Sequence, residues 1–350
     1  MNSKIIPARK KKRSVRLSDV AKLVGVSTAT VSRALALPET VNEETRKTIL
    51  EAVRQTGYTP NVAARNLRVQ RTNMVLVVVS QIANTSFAEN LSGIDEELTQ
   101  HGYGFIIGHL DDHAEREGRF IRLAMSGAVD GLLLLSLSRL PHDDHQTIIS
   151  AGLPAVVLNE KLEGANLPLV CVDNFEASVA VVEHLYGLGH RRMAFIAGPR
   201  GGYTALERQR GFIAGLIKCG LETSNATIWP GEYHFRDGIA AGVQFLAMPE
   251  RPTAVYAAND EMAIGFMKQM HESGVSVPDD VSVIGFDGVD YANYVVPTLT
   301  TVLQPRRELG RRAARTLLSQ IRGEAVAADL KLPTSLTLRR STGPAINRPQ

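Results

Sequence analysis

Cysteine is scarce in this chain: Cys171 and Cys219 are the only two in 350 residues. They do not stand at metal-ligand spacing and cannot build a disulfide framework, so free thiols in a reducing compartment are expected. Long hydrophobic runs are also missing. The longest, Met74–Val79 and Gly131–Leu135, are too short to span a bilayer and read as buried strands. The basic start Lys4–Arg13 is not followed by the apolar segment of a secretory signal, so a soluble, cytoplasmic protein with no membrane partner is expected. The glycine cluster Gly198-Pro199-Arg200-Gly201-Gly202 is neither a Walker loop nor a dinucleotide fingerprint. His101, His109, His113, His142 and His145 show no zinc spacing with a supporting carboxylate. No cofactor and no metal are therefore expected, and these gaps argue against an enzyme. The tail beyond Arg340 is polar, with no heptads to build a coiled coil.

What the chain does have is an uneven distribution of charge. Its formal charge is +3, yet 15 of the 39 Lys and Arg residues and only 5 of the 36 Asp and Glu residues fall within positions 1–72. A head of net charge +10 thus precedes a body of net charge −7. Such a head suits a polyanion. A solubilising terminus explains Arg9–Arg13 but not Arg33, Arg46, Lys47, Arg54, Arg65, Arg68 and Arg71. Residues 1–15, with Lys10-Lys11-Lys12-Arg13, read as a disordered arm with loose phosphate affinity.

Within the head, Leu17, Val20, Ala21 and Val24 fall at helical spacing, and Gly25 breaks the run. Ser27 is an N-cap candidate for a second helix from Thr28 to about Ala36. Two short helices around a tight glycine turn form a helix-turn-helix. Val31, Ala34 and Leu35 can face inward, leaving Thr28, Ala29, Ser32 and Arg33 outward. That surface suits a major groove; an ordinary helical hairpin is the alternative. After a loop at Leu37–Thr40, Asn42 can cap a third helix with the apolar stripe Ile49, Leu50 and Val53, ended by Gly57. The stretch Pro60–Leu67 reads as a helix too short to persist alone. It needs its own copy or DNA as partner.

From Met74 the pattern alternates strand and helix. Strands are expected at Met74–Val79, Tyr103–Gly108, Gly131–Leu135, Ala155–Leu158, Met193–Ala197, Thr253–Ala257 and Val281–Phe286. Helices are expected at Phe87–Gly102, Ala114–Met125, Asn174–Leu188, Arg208–Lys218, Met262–Ser273 and Arg306–Arg322, with a helical turn at Gln146–Ala151. Two runs of this alternation predict two doubly wound lobes, with ligands at the carboxyl ends of the strands.

These residues resemble a known family. Asp19-Val20-Ala21, Gly25-Val26-Ser27 and Thr30-Val31-Ser32-Arg33 are similar to the headpiece of lactose-repressor-type (LacI/GalR) bacterial transcription regulators. Gly57–Asn61 and Ala64–Leu67 resemble that family's hinge helix, and Val277–Asp287 and Pro297–Thr301 resemble blocks of its core. Arg16 departs from the pattern, which usually has Thr or Ser there to cap the first helix. The resemblance implies a small all-α headpiece plus hinge helix, then an α/β core of two doubly wound lobes resembling periplasmic sugar-binding proteins. The boundaries it implies are 16–59 for the headpiece, 60–72 for the hinge and linker, and 73–342 for the core, with a tail at 343–350. Within the core, about 73–171 and 306–333 form the lobe near DNA, and about 172–302 and 334–342 the far lobe. It also implies a homodimer on a pseudopalindromic double-stranded DNA operator, acting most readily as a repressor.

The same resemblance assigns residues. Leu17, Ser27, Thr28, Ala29, Thr30, Ser32 and Arg33 in the headpiece, and Asn61, Ala64 and Leu67 in the hinge, form the DNA-facing set. Arg33 reads as a grip on guanine or as a phosphate contact. Leu67 matches a minor-groove wedge, with a buried hinge leucine as the alternative. Effector contacts map to Ser86, Phe87, Asn159, Arg208, Tyr233, Asn259, Asp287 and Arg306. Asn159, Asn259 and Asp287 each follow an apolar strand, where such folds hold ligands, although Asp260 beside Asn259 can serve simply as a helix cap. Amides and carboxylates bond hydroxyls, and an aromatic such as Tyr233 stacks on a sugar face. A sugar or sugar acid is the expected effector, Arg306 and the missing carboxylate at Asn159 tilting towards an anion. A sugar-binding transport protein shares the bilobed body, but it needs an export signal and no basic head.

Overall fold

The computed structural model describes residues 15–59, 71–80, 86–110, 114–135, 147, 150, 152–161, 164, 166–223 and 226–345. The chain divides into two compact units, Met1–Arg71 and Thr72–Gln350.

Among the described residues, the first unit holds three α-helices, α1 (Leu17–Val24), α2 (Thr28–Ala36) and α3 (Glu43–Thr56). Each end has a local cause. Arg16 brings no capping side chain to α1, but its backbone N–H donates to Asp19 Oδ2 at 2.9 Å, the reciprocal half of a capping box. Gly25 closes the helix in a left-handed conformation with φ 74°. Ser27 caps α2 by accepting from the Thr30 N–H at 3.1 Å. Asn42 caps α3 through the Glu44 N–H at 2.9 Å, and Gly57 ends it at φ 64°. Val20, Ala21, Val31, Ala34, Ile49 and Ala52 form the core. The expected stripe on α3 is corrected here: Leu50 is 38% exposed and Ala52 is buried instead. Positions 49, 52 and 53 share one helical face, and position 50 is rotated off it. The Leu37–Thr40 loop contains a single 3-10 turn at Pro38–Thr40.

Among the described residues, the second unit contains two six-stranded sheets. The first runs β11-β5-β4-β3-β1-β2, every pairing parallel, from β1 (Met74–Val79), β2 (Gly104–His109), β3 (Gly131–Leu135), β4 (Ala155–Leu158), β5 (Leu169–Val172) and β11 (Asp329–Leu332). The second runs β12-β10-β9-β8-β6-β7, from β6 (Met193–Ile196), β7 (Thr227–Trp229), β8 (Ala254–Ala257), β9 (Ser282–Asp287), β10 (Thr300–Leu303) and β12 (Ser335–Thr337). Only the β10–β12 pairing is antiparallel. The helices among the described residues are α4 (Ser86–Gln100), α5 (Ala114–Leu123), α6 (Asn174–Gly187), α7 (Tyr203–Lys218), α8 (Phe235–Ala247), α9 (Asp260–Glu272) and α10 (Arg306–Ile321). The chain passes between sheets three times, after β5, after β10 and after β11. The central strands are buried along their length, as parallel strands covered on both faces must be.

Several elements escape the hydrophobic pattern. Strands β5, β7, β10, β11 and β12 are among them; the last four interleave polar residues such as Thr227, Thr300, Lys331 and Ser335 and so lack an unbroken apolar run. Helix α8 is disguised by Gly238 and Gly242. A methyl at Gly238 would strike the Met262 carbonyl of α9, and one at Gly242 the Gln269 side chain. Helix α7 begins at Tyr203 rather than near Arg208. The stretch at 343–345, expected in the tail, is bonded to the second lobe: Gly343 N–H donates to Ser282 Oγ at 3.0 Å and Ala345 N–H to Leu188 O at 2.8 Å. The helical turn at 146–151 lies mostly outside the described residues. No helix among the described residues is long and apolar enough to cross a membrane, and no group of three His, Cys, Asp or Glu among them could hold a metal ion.

Candidate functional site

On the first unit, Ser27, Thr28, Ala29 and Arg33 are exposed at the start and outer face of α2, while Thr30 and Ser32 are half-buried. Ser27 and Thr30 also hold each other, with their hydroxyls 2.8 Å apart, so part of their bonding capacity shapes the helix start. Arg33 lies along its helix, its Nε–H making a long bond to Ala29 O at 3.4 Å. Leu17 is half-buried against the headpiece core. Asn61, Ala64 and Leu67 lie outside the described residues.

In the second unit, the candidate ligand residues fall at the carboxyl ends of parallel strands. Ser86 and Phe87 begin α4 after β1, Asn159 follows β4, Tyr233 follows β7, Asn259 follows β8, and Asp287 ends β9. Arg208 projects from α7, which follows β6. Four of them fall in two hydrogen-bonded groups, Arg208 with Asp287 and Asn259 with Tyr233, each completed by neighbours that the sequence did not single out. Arg208 Nε donates to Asn174 Oδ1 at 2.9 Å, and its Nη1 bonds Ala258 O and lies 3.5 Å from Asp287 Oδ1. The guanidinium sits 3.7 Å over the Phe286 ring, a cation–π contact. Gln304 Nε2 donates to Asp287 Oδ1 at 2.6 Å. In the second group Asn259 uses both ends of its amide: Nδ2 donates to Tyr233 O at 3.0 Å, and Oδ1 accepts from Met262 N–H, capping α9. The Tyr233 hydroxyl lies 3.3 Å from Thr204 Oγ1, which in turn bonds Glu160 Oε1 at 2.5 Å. Arg306 is buried at the start of α10 and donates to Gly288 O at 2.9 Å. Phe87 packs into the hydrophobic core, and the Asn159 side chain joins neither group among the described residues. Asn159 Oδ1 and Gln304 Oε1 are buried without a hydrogen-bond partner among the described residues.

Backbone conformation sets the same residues apart. Four non-glycine residues among those described have left-handed φ: Asn73 (54°), Asn159 (68°), Tyr233 (68°) and Asp287 (115°). Three of the four are candidate ligand positions. Such conformations cost about 1–3 kcal/mol each and collect at functional sites. The glycine cluster at 198–202 also finds its use here: a methyl at Gly198 would enter the Tyr233 ring.

Burial dominates the electrostatics. It pushes the Asp287 carboxyl above its ordinary range, against the pull of Arg208, Arg306 and the Gln304 amide. It pushes the Tyr233 phenol up to about 12, which keeps the hydroxyl neutral and able to donate. Asp260 is corrected from its expected role. Asn259 caps α9, while Asp260 accepts from Thr301 Oγ1 at 2.5 Å and Val289 N–H at 2.8 Å. Buried without a cation beside Asp287, its carboxyl is raised to about 7.

An exposed helix-turn-helix followed by two parallel-sheet lobes, with buried polar residues at the strand ends, defines a DNA-binding regulator built on a periplasmic-binding-type core. Residues 16–61 match the model of "Bacterial regulatory proteins, lacI family", and residues 182–342 that of "Periplasmic binding protein-like domain". The chain belongs to the LacI family of bacterial transcription regulators. It is 38% identical over 336 residues to the HTH-type transcriptional repressor CytR of Escherichia coli strain K12, covering 96% of this chain and 98% of that protein. It is 32% identical over 332 residues to the catabolite control protein A of Priestia megaterium, covering 94% and 99%. Among solved structures, the lac repressor dimer bound to operator and the anti-inducer ONPF superposes with a TM-score of 0.85 at 28% identity, covering 95% of this chain and all of that one (100%). The transcriptional regulator CelR–cellobiose complex superposes at 0.72 with 31% identity, covering 93% and 99%.

Proposed function

We propose that this protein is a homodimeric transcriptional repressor whose affinity for a pseudopalindromic operator is set by a small molecule bound between the two lobes. The observation that carries the reading is the buried Arg208–Asp287–Gln304–Tyr233 group, with left-handed backbone at Tyr233 and Asp287. A core needs no such cluster for stability, because burying charges costs as much as pairing them returns. Relatives named as repressors, and solved relatives holding operator DNA or cellobiose, support the same reading.

The effector is a sugar or sugar acid, and the tilt towards an anion expected from Arg306 and Asn159 gives way to a charge balance that favours a neutral polyol. The buried cations Arg208 and Arg306 are accompanied by the buried carboxylates Asp287 and Glu160, and Arg306 already donates to Gly288 O. On the DNA side, Thr28, Ala29 and Arg33 read bases, with Leu17, Ser27, Thr30 and Ser32 around them. Asn61, Ala64 and Leu67 contact the minor groove, Leu67 prying open the central base step. Binding to the chain's own upstream DNA, followed by fluorescence anisotropy between 50 and 200 mM salt (about the range over which counterion release is read), tests the DNA-binding half. Affinity is expected to fall steeply across that range, and a flat curve contradicts a DNA-binding head.

A further inference from the structure

Glu160 was not singled out by the sequence, yet it is 4% exposed and bonded entirely across the cleft. It belongs to the first lobe, two residues beyond β4. Both of its carboxylate oxygens are taken by the second lobe: Oε2 accepts from the Tyr203 N–H at 2.8 Å, and Oε1 from Thr204 Oγ1 at 2.5 Å. Tyr203 and Thr204 are the first two residues of α7, whose N-cap, Gly202, has no side chain with which to satisfy the first-turn amides. A carboxylate is the group that such a helix start favours, and here it comes from the opposite lobe. The chain is turned towards that position by Asn159, whose φ of 68° asparagine tolerates better than most residues. Burial pushes the Glu160 carboxyl above its ordinary range despite Thr204, Tyr203 and Arg208, so opening the contact regains hydration.

We propose that Glu160 is an interlobe clasp, a positioning residue of the first lobe that sets the spacing of the two lobes by closing on the first turn of α7. Thr204 connects it to the Tyr233 hydroxyl at 3.3 Å, placing the clasp against the candidate ligand residues. The clasp stands on these contacts alone; its bearing on operator control rests on the function proposed above.

The test uses the full chain carrying Cys219→Ser, with nitroxides at Gln100→Cys on the first lobe and Glu272→Cys on the second, both exposed; Cys171 is buried and stays unlabelled. Pulsed electron–electron resonance reads the interlobe distance, and hydrogen exchange reads the Tyr203 and Thr204 amides. Against the parent distribution, Glu160→Ala and Thr204→Val are expected each to lengthen and broaden the distance, with the double variant adding little to either. Glu160→Ala is also expected to speed exchange at Tyr203 by about ten- to a hundredfold, the range for a lost bond to a charged group. Glu160→Gln keeps the volume and one acceptor, and gives an intermediate result even where the alanine variant folds poorly. An unchanged distance overturns the clasp, whether or not Tyr203 exchange speeds up, because faster exchange alone marks a local helix cap. Neither readout involves DNA or an effector, so failure of the clasp and failure of the proposed function are separately visible.

Discussion

Replacing Asp287 by glycine should cost the second lobe less stability than replacing it by alanine. Both changes delete a carboxylate that is 8% exposed and that takes the Gln304 amide at 2.6 Å and lies 3.5 Å from the Arg208 guanidinium. Removing one partner of a buried pair costs about 3–5 kcal/mol. Arg208 keeps its bonds to Asn174 and Ala258, which places the loss near the lower figure. The two variants then part at the backbone. Alanine keeps a Cβ at φ 115°, a conformation costing about 1–3 kcal/mol, which glycine relieves. Glycine in turn loses about 0.5–1 kcal/mol through the greater freedom of its unfolded chain. The difference leaves Asp287→Gly more stable than Asp287→Ala by about 1 kcal/mol. Trp229, the single tryptophan, is buried in the second lobe beside Phe266 and reports its unfolding in urea by fluorescence. A glycine variant equal to or weaker than the alanine variant refutes the claim that this position is held under strain.

Three further outcomes follow from the contacts above. Arg33→Ala should cost about 1–3 kcal/mol of operator binding and relax specificity at one symmetric position, measured by anisotropy over a set of singly mutated operators; a uniform loss makes Arg33 a phosphate contact. Ser27→Ala should lower headpiece stability by about 1 kcal/mol through the lost cap on α2, read as a shift in its thermal unfolding midpoint. Asp260 should make the core less stable as pH rises. Its folded pKa of about 7 lies above the unfolded value, so its contribution is complete below about pH 4 and is lost on rising through 7. Urea midpoints between about pH 5 and 8 should therefore slope less in Asp260→Asn than in the parent, and parallel slopes contradict the assignment.

Much of this molecule is legible in its sequence because burial on both faces writes parallel strands as unbroken apolar runs, as at Met74–Val79 and Gly131–Leu135. Caps are equally plain: Ser27, Asn42 and the glycines 25 and 57 act where they stand. Helix α8 was hidden because its contact face is glycine, chosen so that two backbones can approach, and periodicity counts apolar side chains. Among the candidate ligand positions, Arg208 meets Asp287 and Tyr233 meets Asn259, but Asn174, Thr204 and Gln304 were not picked out because nothing local distinguishes them. Glu160 was hidden for a different reason. Its meaning lies in a contact with residues more than forty positions away in another lobe, and in sequence it is one more surface-type carboxylate.

The central claim is that occupancy of the interlobe site controls the grip on DNA. It is tested most directly by measuring affinity for the upstream operator in the presence and absence of sugars, sugar acids and nucleobases, for the parent protein and for Asp287→Ala. Asp287 and the helix-turn-helix belong to separate compact units, so the variant keeps its headpiece folded. At least one compound should shift the parent's operator affinity by about 5–150-fold, the usual span of such coupling, and leave the variant unmoved. A compound that shifts parent and variant alike contradicts the account.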